Sequence, residues 1–207
     1  MKGRSLATAL WVIAASVACG DATPEAEEGA SADPARPIEG VFGMAPTPVG
    51  GIPSVVELRG GGAPAADTAH AILDQFGLEF SPRELMIRLG QPTLFVNSET
   101  LAHNIHVRGA DTDSTVFFID TDPGRQVEFV FEDPGAYDVT CDEHPGMRAF
   151  IYVSDAGYAA FADRDGTFVL EGVPEGSYTL SVWSIDTALR SEHGVTVSGS
   201  STEVSVH

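Results

Sequence analysis

Basic residues are scarce in this chain: 11 Lys and Arg stand against 30 Asp and Glu, a formal charge of −19. That balance argues against a DNA, RNA or anionic-lipid binding face, because phosphate contacts are made by Lys and Arg. Two readings of the acidity remain: it keeps the surface soluble, or it attracts a basic redox partner. Cysteine is nearly absent, with Cys19 and Cys141 alone. Helical periodicity is weak throughout. By contrast, 22 glycines and 13 prolines in 207 residues supply many turns, which suits short strands better than long helices.

Residues 1–19 read as an export signal. Lys2 and Arg4 give a positive start, and Leu6 to Val17 form an apolar stretch too short to span a membrane with ease. The run Ser16-Val17-Ala18-Cys19 resembles a bacterial lipobox, with Cys19 as the lipidated residue. The expectation is an exported, periplasmic or cell-envelope protein whose membrane attachment is an N-terminal lipid anchor. Residues 20–36, acidic and rich in Ala, Pro and Gly, read as a disordered linker. If Cys19 carries lipid, Cys141 has no disulfide partner in an oxidising compartment. Binding a metal is one way to keep such a thiol reduced.

Structure is expected from Ile38 onward, with two strands around Val41 and Val55–Leu58 before the Gly-rich linker at 60–67. Between about 71 and 154, short apolar runs alternate with turn signals. Leu85, Ile87 and Leu89 alternate with Met86 and Arg88, and Val127, Phe129 and Phe131 follow the same rhythm. Tyr137, Val139 and Cys141 share one face, as do Met147, Ala149, Ile151 and Val153, which predicts strands with one buried face. Asp122-Pro123-Gly124 and Asp133-Pro134-Gly135 supply turns. The last fifty residues repeat the pattern, with strands at Thr167–Leu170, Tyr178–Val182, Val195–Val197 and Val204–Val206. The fold class is all-β, closing as a sandwich. Asp163-Arg164-Asp165-Gly166 has the start of a calcium loop without its downstream acidic ligands, so it reads as a hairpin turn.

The segment Cys141-Asp142-Glu143-His144-Pro145-Gly146-Met147 places a thiolate, an imidazole and a thioether within seven residues. Soft sulfur with imidazole suits copper, and the thioether argues against zinc. A trigonal set with a weak axial Met needs one more imidazole. His103, after the strand around Phe95-Val96, is preferred. His106 is three residues on and faces the other way in a strand, but stays open as an alternative or additional ligand. His70, His193 and His207 lie in more distant segments.

These two segments, LFVNSETLAHN and GAYDVTCDEHPGM, resemble the first-histidine and second-ligand motifs of the cupredoxins, the blue copper proteins. The Cys-x2-His-x2-Met spacing matches their short, amicyanin-like loop. The resemblance implies a Greek-key β-sandwich over about 61–154. It also implies one mononuclear type 1 copper held by His103, Cys141, His144 and Met147, with Asn104 supporting the cysteine loop. The stretch DRDGTFVLEGVPEGSYTLSVW resembles the carboxypeptidase regulatory-like (transthyretin-like) sandwich. Residues 37–60 and 155–207 are therefore expected to form a second small sandwich into which the first is inserted, as in methylamine-utilisation-type cupredoxin proteins.

A closed ligand set leaves little room for substrate. Neither a nucleophile–base pair nor a Gly-rich phosphate loop is present, which sets an enzyme aside. The expected function is one-electron transfer to or from a redox protein such as a cytochrome or a copper oxidoreductase, with His144 as the point of entry. The alternatives are copper delivery or buffering, and a surface interaction module with structural copper.

Overall fold

The computed structural model describes residues 40–60 and 68–206. The segment read as an export signal, Cys19, the acidic stretch read as a linker and His207 lie outside them. Among the described residues the chain is all-β, the one departure being a 3-10 turn at Thr187–Leu189.

Strands β1 (Gly40–Met44) and β2 (Val55–Arg59) come first and enter different sheets. Nine strands follow: β3 (Ala71–Phe76), β4 (Glu79–Ser81), β5 (Glu84–Arg88), β6 (Pro92–Asn97), β7 (His103–Gly109), β8 (Thr115–Thr121), β9 (Gln126–Val130), β10 (Gly135–Thr140) and β11 (Arg148–Ser154). They make a four-stranded sheet, β4-β3-β6-β9, facing a five-stranded sheet, β5-β11-β10-β7-β8. The chain ends with β12 (Tyr158–Phe161), β13 (Thr167–Glu171), β14 (Gly176–Trp183), β15 (Ser191–Val197) and β16 (Ser201–Ser205). These rejoin the first two strands as sheets β13-β1-β16 and β12-β2-β14-β15.

Three apolar layers hold the four sheets together. The inner sandwich, β3–β11, closes on Leu73, Phe95, Ile105, Val107, Val139 and Ile151, with Cys141 and Met147 at one end of the same cluster. The outer sandwich closes on Val41, Val56, Leu58, Leu170 and Leu180 among others, drawn from both sides of the inserted segment. Between them lies a third layer. Ala136, Phe150 and Tyr152 point out of the back of the five-stranded sheet and meet Val55, with Phe161 and Trp183 packed alongside. This is why Arg148–Ser154 is apolar at nearly every position: the strand is covered on both faces.

The joint also carries buried charge. Glu57 on β2 accepts from Ser154 Oγ at 2.6 Å and from Arg59 Nη2 at 2.9 Å. Burial, together with Glu57, pushes the Tyr152 hydroxyl far above its ordinary pKa. At the rim, Arg190 grips Asp111 of the β7–β8 turn with Nη1 at 3.1 Å and Nη2 at 2.5 Å. It also stacks over Trp183, 5.0 Å from the ring centroid.

Both sandwiches use the same corner. Tyr137 donates its hydroxyl to the carbonyl of Asp133, and Tyr178 does so to Pro174, each four residues back across a Pro/Gly turn. The Asp163–Gly166 segment is a tight turn in which Gly166 N–H donates to the Asp163 carbonyl, but not the expected hairpin: β12 and β13 on either side of it belong to different sheets.

Strand direction fixes the poles of the inner sandwich. β3 runs parallel to β6, with Ala71 opposite Thr93 and Gln75 opposite Asn97. The chain enters at the Ala71 end and leaves at Ser154, whereas the 98–102 and 141–147 loops lie at the other end. Six strand steps along β11 separate the two poles by about 20 Å.

Candidate metal centre

Two loops at one pole build the site. The 98–102 loop joins β6 to β7 and delivers His103 as the first residue of β7. The 141–147 loop joins β10 to β11 and is closed by two backbone bonds of 3.1 Å, Met147 N–H to the His144 carbonyl and Cys141 N–H to the Met147 carbonyl. Gly146 makes this closure possible, because its φ of +96° lies in the region that strains any residue with a Cβ.

The structure brings His103, Cys141 and His144 together. Cys141 Sγ lies 3.8 Å from His103 Nδ1 and 3.6 Å from His144 Nδ1, and the two nitrogens are 3.0 Å apart. A point in the plane of that triangle sits about 2.0 Å from all three atoms, close to metal–nitrogen and metal–thiolate bonds of about 2.0–2.3 Å. One thiolate and two imidazoles are a donor set that suits copper, so geometry and chemistry both fit this metal. His103 and Cys141 are buried, while His144 is partly exposed. Met147 is buried in the same apolar cluster as Cys141.

Asn104 serves both loops. Its backbone N–H points at Cys141 Sγ at 3.5 Å, and its side-chain Oδ1 accepts from the backbone of Asp142 at 2.8 Å. His106 lies outside the triangle. Its Nδ1 faces the carboxylate of Asp142 at 3.0 Å, and its Nε2 faces Thr115 Oγ1 at 2.8 Å. His70 pairs with Glu128, and His193 belongs to β15 of the outer sandwich.

Sequence reading missed Glu99. Its Oε2 lies 2.6 Å from His103 Nε2, the ring nitrogen opposite the one aimed at Cys141. With Nδ1 used as a donor to metal, Nε2 carries the proton and donates to Glu99, which fixes the tautomer and the ring plane. Partial burial pushes the Glu99 carboxyl up, but the bond from His103 and the backbone N–H groups of Leu78 and Gly77 outweigh it and hold the group below the ordinary glutamate value. The available signal was an acid four residues before His103 on a loop, which spacing alone does not distinguish from a solvated one.

The surface at this pole mixes apolar and acidic side chains, with Asp142 and Glu143 of the ligand loop exposed. Leu78 and Leu101 are about half exposed and Phe76 more so. The Leu78 backbone N–H lies 3.3 Å from Glu99, which sets the β3–β4 turn against the first ligand loop.

Residues 68–154 match the family model for copper binding proteins of the plastocyanin/azurin family. Amicyanin-alpha of Methylorubrum extorquens is 30% identical over 94 residues, an alignment covering 44% of this chain and 75% of that protein. Among solved structures, a purple cupredoxin from Nitrosopumilus maritimus is similar at 25% identity, with a TM-score of 0.36 over 41% of this chain and 99% of its own. A reduced amicyanin variant is also 25% identical, with a TM-score of 0.38 over 44% of this chain and 86% of its own.

Proposed function

The chain belongs to the plastocyanin/azurin family of copper-binding proteins, and from that premise we propose that it is an exported one-electron carrier with a single type 1 copper bound by His103, Cys141, His144 and Met147. The observation that carries the ligand assignment is the triangle of Cys141 Sγ and the two Nδ1 atoms, with edges of 3.0, 3.6 and 3.8 Å.

A copper ion held by these residues would supply the one-electron chemistry. The protein's part is to keep the ligands still. His103 is locked from behind by Glu99, Cys141 is held by the Asn104 N–H, and the loop between Cys141 and Met147 is closed on itself. Rigid, hydrogen-bonded ligands need little rearrangement when the charge changes, which favours fast transfer. His144 is the partly exposed ligand, followed in its loop by the exposed Pro145 and Gly146, so a redox protein approaches through it.

Export and lipid anchoring rest on Lys2, Arg4, the apolar run and Cys19. Palmitate incorporation into the wild type and its loss in Cys19→Ala is the expected result. The outer sandwich, from residues 37–60 and 155–207, is read as a carboxypeptidase regulatory-like support. One apolar core drawing on both segments favours that reading.

The deciding experiment is a visible and electron paramagnetic resonance spectrum after loading with Cu(II). An intense thiolate-to-copper band with narrow hyperfine splitting, lost in Cys141→Ser, is expected. A pale protein, or colour retained in Cys141→Ser, would overturn the assignment. Rapid stripping by a Cu(I) chelator would favour copper delivery instead.

A further inference from the structure

Gln75 sits where the apolar pattern of β3 calls for another Leu. It follows Leu73 on the inward face, and both are fully buried. A buried primary amide destabilises unless its hydrogen bonds are made, so an apolar side chain would fill this position at lower cost. Here the bonds are made. Gln75 Nε2 donates to the backbone carbonyl of Asn104 at 3.1 Å, and its Oε1 accepts from Thr121 Oγ1 at 2.7 Å. Asn97, its register partner on β6, is equally buried. It donates to the carbonyls of Leu101 and Thr121, both at 2.8 Å, and accepts from the Glu99 N–H at 2.9 Å.

We propose that Gln75, Thr121 and Asn97 form a buried clamp that fixes the His103 loop against the Cys141 loop, with Gln75 as a positioning residue for electron transfer. The inference rests on the copper reading of the site. Asn104 links the two loops: it touches Cys141 Sγ and Asp142 on the far loop, and Gln75 holds its carbonyl from behind. Asn97 does the same for the segment that presents Glu99 to His103. Networks whose members are all satisfied specify one geometry, which is what a site required to stay still between two oxidation states needs. Gln75 bonds through its side chain to Asn104 and Thr121, not to any of the four metal ligands, and acts through Asn104.

The test compares the full chain with Gln75→Met, which keeps the volume and removes the amide, and with Thr121→Val and Thr121→Ser. In the metal-free proteins, amide hydrogen exchange at Asp142 is expected to speed up about tenfold in Gln75→Met and Thr121→Val, while Val153 at the opposite pole is unchanged. Thr121→Ser, which keeps the hydroxyl, restores the wild-type rate. In the loaded proteins the same two variants are expected to bind Cu(II) about tenfold more weakly, within the range for residues behind a ligand, with an altered thiolate-to-copper band. Wild-type exchange and spectrum in Gln75→Met would overturn the proposal. So would an equal acceleration at Asp142 and Val153, which marks a packing effect. Should Gln75→Met fail to fold, the Thr121 pair carries the same comparison. If the wild type shows no thiolate band, the copper reading falls, while exchange in the metal-free chain still decides the clamp.

Discussion

At the scale of single residues, Cys141, His144 and Met147 stood out in the sequence because a thiol, an imidazole and a thioether fall within seven residues. His103 was singled out chiefly by resemblance to the cupredoxin first-histidine motif. Glu99 and Gln75 did not stand out. Their roles depend on where the backbone takes them, and an acid on a loop or an amide in a strand has no spacing of its own. Glu99 nonetheless carries a sharp consequence. Its carboxylate lies behind His103, where negative charge raises the basicity of the imidazole and favours Cu(II) over Cu(I). Glu99→Gln keeps an acceptor for the Nε2 proton and removes the charge. Cu(II) binding is expected to weaken about tenfold relative to Cu(I), which for a one-electron couple raises the potential by about 60 mV. Voltammetry of the two proteins checks this, and an unchanged or lowered potential would remove Glu99 from the electrostatics of the site.

At the scale of strands, the alternating segments around Ile87, Phe129, Val139 and Ile151 were legible, because period-two burial on one face leaves a plain trace. One element was not, and a second was legible on one face only. β8 carries the unbroken run Val116-Phe117-Phe118-Ile119, in which Phe117 and Ile119 pack on the core while Val116 and Phe118 are exposed. Such a run has no alternation to read. β11 was recognised by one face only; its other face, Phe150 and Tyr152, builds the joint to the outer sandwich. Phe150 stacks on Trp183 with centroids 5.4 Å apart. Phe150→Ala is expected to destabilise the protein by about 3 kcal/mol, the lower end for losing a buried aromatic. The copper spectrum should not move, because Phe150 points away from the face that bears Cys141 and Met147. Urea denaturation with the visible spectrum in parallel tests both parts. A displaced thiolate band at full folding would show that the joint and the metal site are coupled.

At the scale of the whole molecule, the order of the layers gives the acidity a direction. Among the described residues the chain crosses between sandwiches at the pole opposite the ligand loops, and the outer sandwich covers the back of the five-stranded sheet rather than the His144 pole. The pole itself mixes the exposed Leu78 and Leu101 with the exposed acids Asp142 and Glu143 of the ligand loop. Charge therefore acts on approach and at contact alike. A formal charge of −19 draws cations from a distance set by the Debye length, about 30 Å at 0.01 M salt and about 3 Å at 1 M. Two small redox complexes of similar potential and opposite charge separate this effect from any partner's shape. At 0.01 M salt the cationic complex is expected to exchange electrons with the loaded protein at least tenfold faster than the anionic one, and the two rates should converge near 1 M. Equal rates at low salt would mean that the acidic field does not reach the His144 pole. The charge would then serve solubility alone, and a basic partner would have no advantage over a neutral one.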